Sequence, residues 1–96
     1  MHTLSCDDIR NKMHPNSVLL DVRNADEFHR DALPNAQNIP LGNLATIATK
    51  VLDRNSALLV YCQAGMRASK ATQILTELGF NKVINIGGIN HYQHCH

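Results

Sequence analysis

Apolar and polar positions change period several times along the chain. The segment "SVLLDVR" (residues 17–23) is leucine-rich and β-branched, which predicts a buried strand. "ALLVY" (57–61) is a continuous apolar run and predicts a central strand covered on both faces. "KVINI" (82–86) predicts a last strand, followed by a turn at "GG" and a short terminal segment "INHYQHCH". "LPNAQNIPL" reads as a turn, a short strand around 36–39 and a proline stop.

Between these strands the period is helical. Leu44, Ile47, Ala48, Val51 and Leu52 predict one helix from Leu41 onward, closed by the turn formers Asp53-Arg54-Asn55. Ala68, Ala71, Ile74, Leu75 and Leu78 predict another, with Gly79 as its C′ residue. Ser5 with Asp8, and Asn24 with Glu27, carry capping-box signatures for two short helices. The first turns Ile9 and Met13 inward and ends at His14-Pro15-Asn16, because a residue before proline avoids the helical region. Strands and helices alternate throughout. The expectation is a single α/β domain over residues 1–96, with a mostly parallel central sheet of four to five strands and helices on both faces.

Composition narrows the function classes. The 96 residues are 44% hydrophobic and 18% charged, suited to one globular domain. A net charge of +1, without a basic run, leaves little electrostatic footprint for nucleic acid. Apolar runs are too short to span a bilayer, and the N-terminus lacks a basic-then-apolar signal pattern, so a cytoplasmic location is expected. Cys6, Cys62 and Cys95 are odd in number, widely spaced and form no CxxC pair, which speaks against a disulfide framework or zinc ribbon.

Cys62 is the cysteine to which the fold points. It follows the most buried strand, and ligands of open α/β sheets bind outside the carboxyl ends of the strands. Residues 63–67, "QAGMR", bridge into a helix whose first N–H groups have no intrahelical partner. Gly65 lets the backbone curl and aim successive N–H groups at one point, while the helix dipole and Arg67 add positive charge. A thiolate there is stabilised, and its pKa is expected below the free value of about 8.5. The plainer alternative is a small buried hydrophobe. Met66 is expected to pack rather than line a pocket mouth, and Tyr61 to point into the core. Asp26 and Glu27 read as first-turn charges that complement a helix dipole.

"CQAGMRAS", preceded by "LLVY" and followed by "ILTELGF", closely resembles the active-site region of rhodanese sulfurtransferases. "LLDVRNADEF", "NAQNIPL" and "VINIGGI" match further landmarks of that family in the same order, so the resemblance runs from about Val18 to Tyr92. It implies that Cys62 takes a sulfane sulfur from a small anionic donor such as thiosulfate, forms a persulfide, and passes the sulfur to cyanide or a thiol. It further implies that the N–H groups of Gln63, Ala64, Gly65, Met66 and Arg67 hold the persulfide, with the Arg67 side chain helping to bind the donor. Asp21 and Arg23 match the family's "DVR" and are given a supporting role. No metal or organic cofactor is required. Asp31 and Ala32 depart from the family's Gly and His, and Tyr92 stands where Trp is common. The resemblance is to the single-domain type.

Three rivals stand beside this reading. Cysteine phosphatases and arsenate reductases resemble Cys-x5-Arg, whereas four residues separate Cys62 from Arg67; the tighter loop suits a terminal sulfur better than a phosphoryl group. A non-catalytic module could take sulfur from a dedicated sulfur-relay protein and hand it on. The tail "HYQHCH" offers His91, His94, Cys95 and His96 as metal ligands, although a frayed terminus is the plainer reading.

Overall fold

The computed structural model describes residues 5–7 and 17–95, and the side chains of 93–95 stand outside that description. The expected first helix falls mostly outside it too: Cys6 and Asp7 are helical, while Asp8, Ile9, Met13 and the His14-Pro15-Asn16 stop lie beyond the described residues.

Four strands form one parallel sheet: β1 (Ser17–Asp21), β2 (Gln37–Asn38), β3 (Ala57–Cys62) and β4 (Lys82–Gly88), in the spatial order β2-β1-β3-β4. Three α-helices lie between them: α1 (Ala25–Arg30), α2 (Leu44–Val51) and α3 (Met66–Glu77). Leu41–Asn43 form a 3-10 turn that leads into α2, and Ile89–Cys95 form a 3-10 segment after β4. The expected mostly parallel α/β sheet is therefore present, with β1 and β3 at its centre.

Side-chain alternation on β3 sorts the two cores. Leu58, Val60 and Cys62 face a cluster built with Leu44, Ala48 and Leu52 and with Ala68, Ala71 and Leu75 of α3. Tyr61 faces the opposite cluster with Leu19, Leu33, Ile86, Ile89 and Tyr92, to which Cys6 adds its half-buried side. Among the described residues, that face is covered by the 3-10 segment, by Leu33 and Ala36 of the loop before β2 and by Cys6. Each buried leucine stabilises the fold by about 1.5–3 kcal/mol.

Some local expectations needed correction. The "GG" at 87–88 continues β4 instead of turning, because Ile86 bulges out of register: Val60 pairs with Asn85 and Tyr61 with Gly87. The bulge is closed by the Gly87 N–H, which donates to Asn85 Oδ1 at 2.8 Å, and Gly87 has φ 100°. Val51, expected on the inner face of α2, is 60% exposed, since the helix ends there and the chain turns extended at Leu52. Cys6 is disulfide-bonded, where the cysteine spacing suggested none. α3 ends as expected: the Gly79 N–H donates to Thr76 O and the Phe80 N–H to Leu75 O, a Schellman closure with buried Phe80 behind it.

Candidate active site

Strand β3 delivers Cys62 to the carboxyl edge of the sheet, where the chain breaks into the 63–65 loop and re-enters α3. Gly65 is the N-cap of α3 with φ 102°, a left-handed conformation that side chains rarely adopt. A glycine N-cap has no side chain to cap the helix with. The cysteine sulfur fills that place instead. Sγ accepts the N–H of Gly65 at 3.0 Å and the N–H of Ala68, the third residue of α3, at 3.3 Å. Cys62 is 1% exposed and is the free cysteine among the described residues.

Of the loop N–H groups expected around the sulfur, the one from Gly65 bonds to it, and Ala68 joins from beyond the expected range. Ala68 was legible as a core position of α3, but its backbone role follows from the curl of the loop. Gln63 is half-buried and uses its side chain rather than pointing outward: Oε1 accepts from Arg23 Nη1 at 3.1 Å, and Nε2 donates to Asn90 Oδ1 at 3.2 Å. Ala64 is exposed, and Met66 is 83% exposed at the rim instead of packed. It is the first residue of α3, directly after the loop.

Asp21 and Arg23 are fully buried beneath the loop. Asp21 Oδ1 accepts the Arg23 backbone N–H at 2.8 Å, and Oδ2 accepts from Nη2 at 2.8 Å. Arg23 also donates to the Asp31 carboxylate at 3.2 Å and to its carbonyl oxygen, and it lies 5.9 Å from the Tyr61 ring centre. Burial opposes the Arg23 charge, but the hydrogen bonds and charge of Asp21 overcome it and hold the guanidinium above its ordinary value. Burial likewise pushes the Tyr61 phenol up, and its oxygen accepts the Leu33 N–H at 3.1 Å. Asp31, which departs from the family's glycine, is thus a partner of the buried arginine.

Arg67 makes a contact that the sequence did not suggest. Its Nη1 and Nη2 donate to the two carboxylate oxygens of Glu27 at 2.6 and 2.9 Å, across 40 residues of chain. Glu27 is therefore more than a first-turn charge. Its Oε1 also accepts the Asn24 N–H at 3.2 Å, so one carboxylate caps α1 and grips the loop arginine. The hydrogen bonds from Arg67 draw the Glu27 carboxyl down to about 2, and the same bonds raise Arg67. No periodicity links residues 27 and 67; the capping-box pattern was the one signal that marked Glu27.

The far wall of the loop is β4. Asn85 Nδ2 reaches the Gly65 carbonyl oxygen at 3.4 Å, and Gly88 lies against the backbone of Gln63 and Ala64. Among the described residues no group of three or more His, Cys, Asp or Glu could hold a metal ion, and His94, Cys95 and His96 of the tail lie outside the described side chains. No helix among the described residues is long and apolar enough to cross a membrane.

The chain matches the family model of the rhodanese-like domain over residues 5–95. Among its relatives, thiosulfate sulfurtransferase PspE of Escherichia coli K12 is 39% identical over 71 residues, covering 73% of this chain and 68% of that protein. The putative sulfur carrier protein YrkF of Bacillus subtilis 168 is 34% identical over 68 residues; the match covers 71% of this chain but 36% of YrkF. A solved rhodanese from E. coli with anions superposes with a TM-score of 0.71 at 37% identity, covering 78% of this chain and 89% of that one. With the parallel sheet and the cysteine loop already in place, these matches fix the family: the chain belongs to the rhodanese-like domain proteins.

Proposed function

We propose that the protein is a sulfurtransferase that carries a sulfane sulfur as a Cys62 persulfide. The observation that carries this reading is the Cys62 sulfur itself, held by the N–H groups of Gly65 and Ala68 at a helix N-terminus. In the first step the Cys62 thiolate attacks the outer sulfur of thiosulfate or a similar donor. The S–S bond of the donor breaks and sulfite leaves with the bonding pair. In the second step cyanide or a thiolate attacks the terminal sulfur of the persulfide, giving thiocyanate or a new persulfide and restoring the Cys62 thiolate.

The persulfide carries its negative charge on a sulfur one bond beyond Sγ. The N–H groups of Gln63, Ala64, Met66 and Arg67, with that of Gly65, are the donors assigned to it. Arg67, paired with Glu27, orders the loop beside the donor, and Asp21 and Arg23 support the loop from beneath through Gln63. The near-complete cover over Cys62 favours a small donor that presents a terminal sulfur. No metal or organic cofactor enters these steps.

A carrier role, in which another protein loads Cys62, is the second reading, favoured by the likeness to YrkF, named a putative sulfur carrier. The test is an intact-protein mass spectrum after brief exposure to thiosulfate, with Cys62→Ser alongside. Gain of one sulfur atom by the wild type alone, removed again by cyanide, is the expected result. No gain from thiosulfate, with loading from a protein persulfide, would favour the carrier; no gain from either would sink both.

A further inference from the structure

Two arginines touch the active loop, and carboxylates meet both. Arg67 is matched by Glu27 through two hydrogen bonds. Arg23, which holds Gln63, is matched by Asp21 and Asp31. Three carboxylates against two guanidiniums give this connected set a formal charge of −1. Asp31, 43% exposed, and the Glu27–Arg67 pair, 19% and 34% exposed, are its outer members, whereas Asp21 and Arg23 have no exposure. Arg67 is the one guanidinium of the set with any exposure, so the positive charge a donor meets at the loop depends on whether Arg67 is free or already paired. In this structure it is paired.

We infer that Glu27 is a specificity-determining residue: by neutralising Arg67 it weakens the hold on doubly charged sulfur donors and favours donors of lower charge. The inference rests on the sulfur-transfer reading and refines its substrate class to monoanionic or neutral carriers of sulfane sulfur, such as organic thiosulfonates and persulfides. Backbone N–H groups hold the reacting sulfur whatever the rest of the donor carries. The second negative charge of a dianion lies on the leaving group, outside the N–H cradle, where Glu27 repels it as strongly as Arg67 attracts it. Arg67 still orders the loop, but contributes little net attraction.

The experiment compares thiosulfate, a dianion, with benzenethiosulfonate, a monoanion that gives up its outer sulfur and leaves as benzenesulfinate, each with cyanide as acceptor. For Glu27→Gln, kcat/KM for thiosulfate should rise about fivefold and that for benzenethiosulfonate about twofold, as expected for one added positive charge several ångströms away at high dielectric. Glu27→Asp keeps the charge and should keep the wild-type preference between donors. A Glu27→Gln variant that loses activity equally towards both donors would overturn the inference and leave Glu27 a loop support. Independently of any variant, wild-type kcat/KM for thiosulfate should not fall steeply with ionic strength, because Glu27 cancels the attraction that Arg67 would otherwise supply. A steep fall with added salt would overturn the inference as well. Failure of the wild type to take sulfur from either donor would instead overturn the sulfur-transfer reading beneath it.

Discussion

Gly88 of β4 lies so close to Gln63 that a Cβ placed on it would stand 2.4 Å from the Gln63 carbonyl oxygen and 3.0 Å from Ala64 Cα. Strand and loop meet backbone to backbone. The loop is thus held from three directions: by Gly88 and Asn85 on β4, by Gln63 on the buried Arg23, and by Arg67 on Glu27.

Gly88→Ala must push the loop outward, because the obstructing atoms belong to backbone rather than to a flexible side chain. Overpacking of this kind costs about 1–3 kcal/mol of stability. A displacement near 1 Å at the reacting atoms can cost roughly 10²-fold in rate. The expected outcome is a fall in kcat/KM for sulfur transfer larger than the loss of stability alone would cause below the unfolding transition. Unchanged kcat/KM in a folded variant would show that the loop has room to spare.

Asp21→Asn leaves the Arg23 guanidinium buried without its main partner. Breaking a buried pair in this way destabilises by about 3–5 kcal/mol. Asp31 and Gln63 still accept from Arg23, so the lower end of that range is expected. Urea denaturation measures it, and a loss under about 1 kcal/mol would mean that Asp31 alone suffices for the charge.

Acid should release the loop arginine in a defined window. The Glu27 carboxyl falls from its ordinary 4.5 to about 2 in the folded protein. A folded value below the unfolded one stabilises the fold fully above about 4.5, and that contribution fades as pH drops towards 2. The stability difference between wild type and Glu27→Gln should therefore be flat from neutral pH down to about 4.5 and shrink below it. Parallel pH profiles for the two proteins through that window would refute the assignment.

The parts of the site that the sequence made legible are those built from contiguous residues. The apolar run at 57–61, the glycine at 65 and the helical period from Ala68 to Leu78 are local patterns, and each forms the element it predicts. Glu27 was misread because its decisive partner lies 40 residues away, and a capping pattern explains only one of its two bonds. The glycines at 87 and 88 were read as a turn because paired glycines usually make one. Here one accommodates a bulge at φ 100° and the other a close backbone contact, both inside a strand. Met66 was expected to pack rather than line a pocket mouth, yet it is exposed, because the direction of the first residue of a helix is dictated by the loop before it.

An all-parallel sheet in the order β2-β1-β3-β4 contains no hairpin. The central pairing sets Ser17 opposite Ala57, so the two middle strands meet only after a long stretch of chain has been gathered between them. Such closure costs entropy before any ladder bond rewards it, which slows folding. The N–H groups on the Cys62 sulfur come from Gly65 and Ala68 close by in the chain, but the loop that carries them is braced by Asn85 of β4 and, through Arg67, by Glu27 of α1. During synthesis the loop emerges before β4 does, so for that interval Cys62 sits in a loop that still lacks its Asn85 and Gly88 wall.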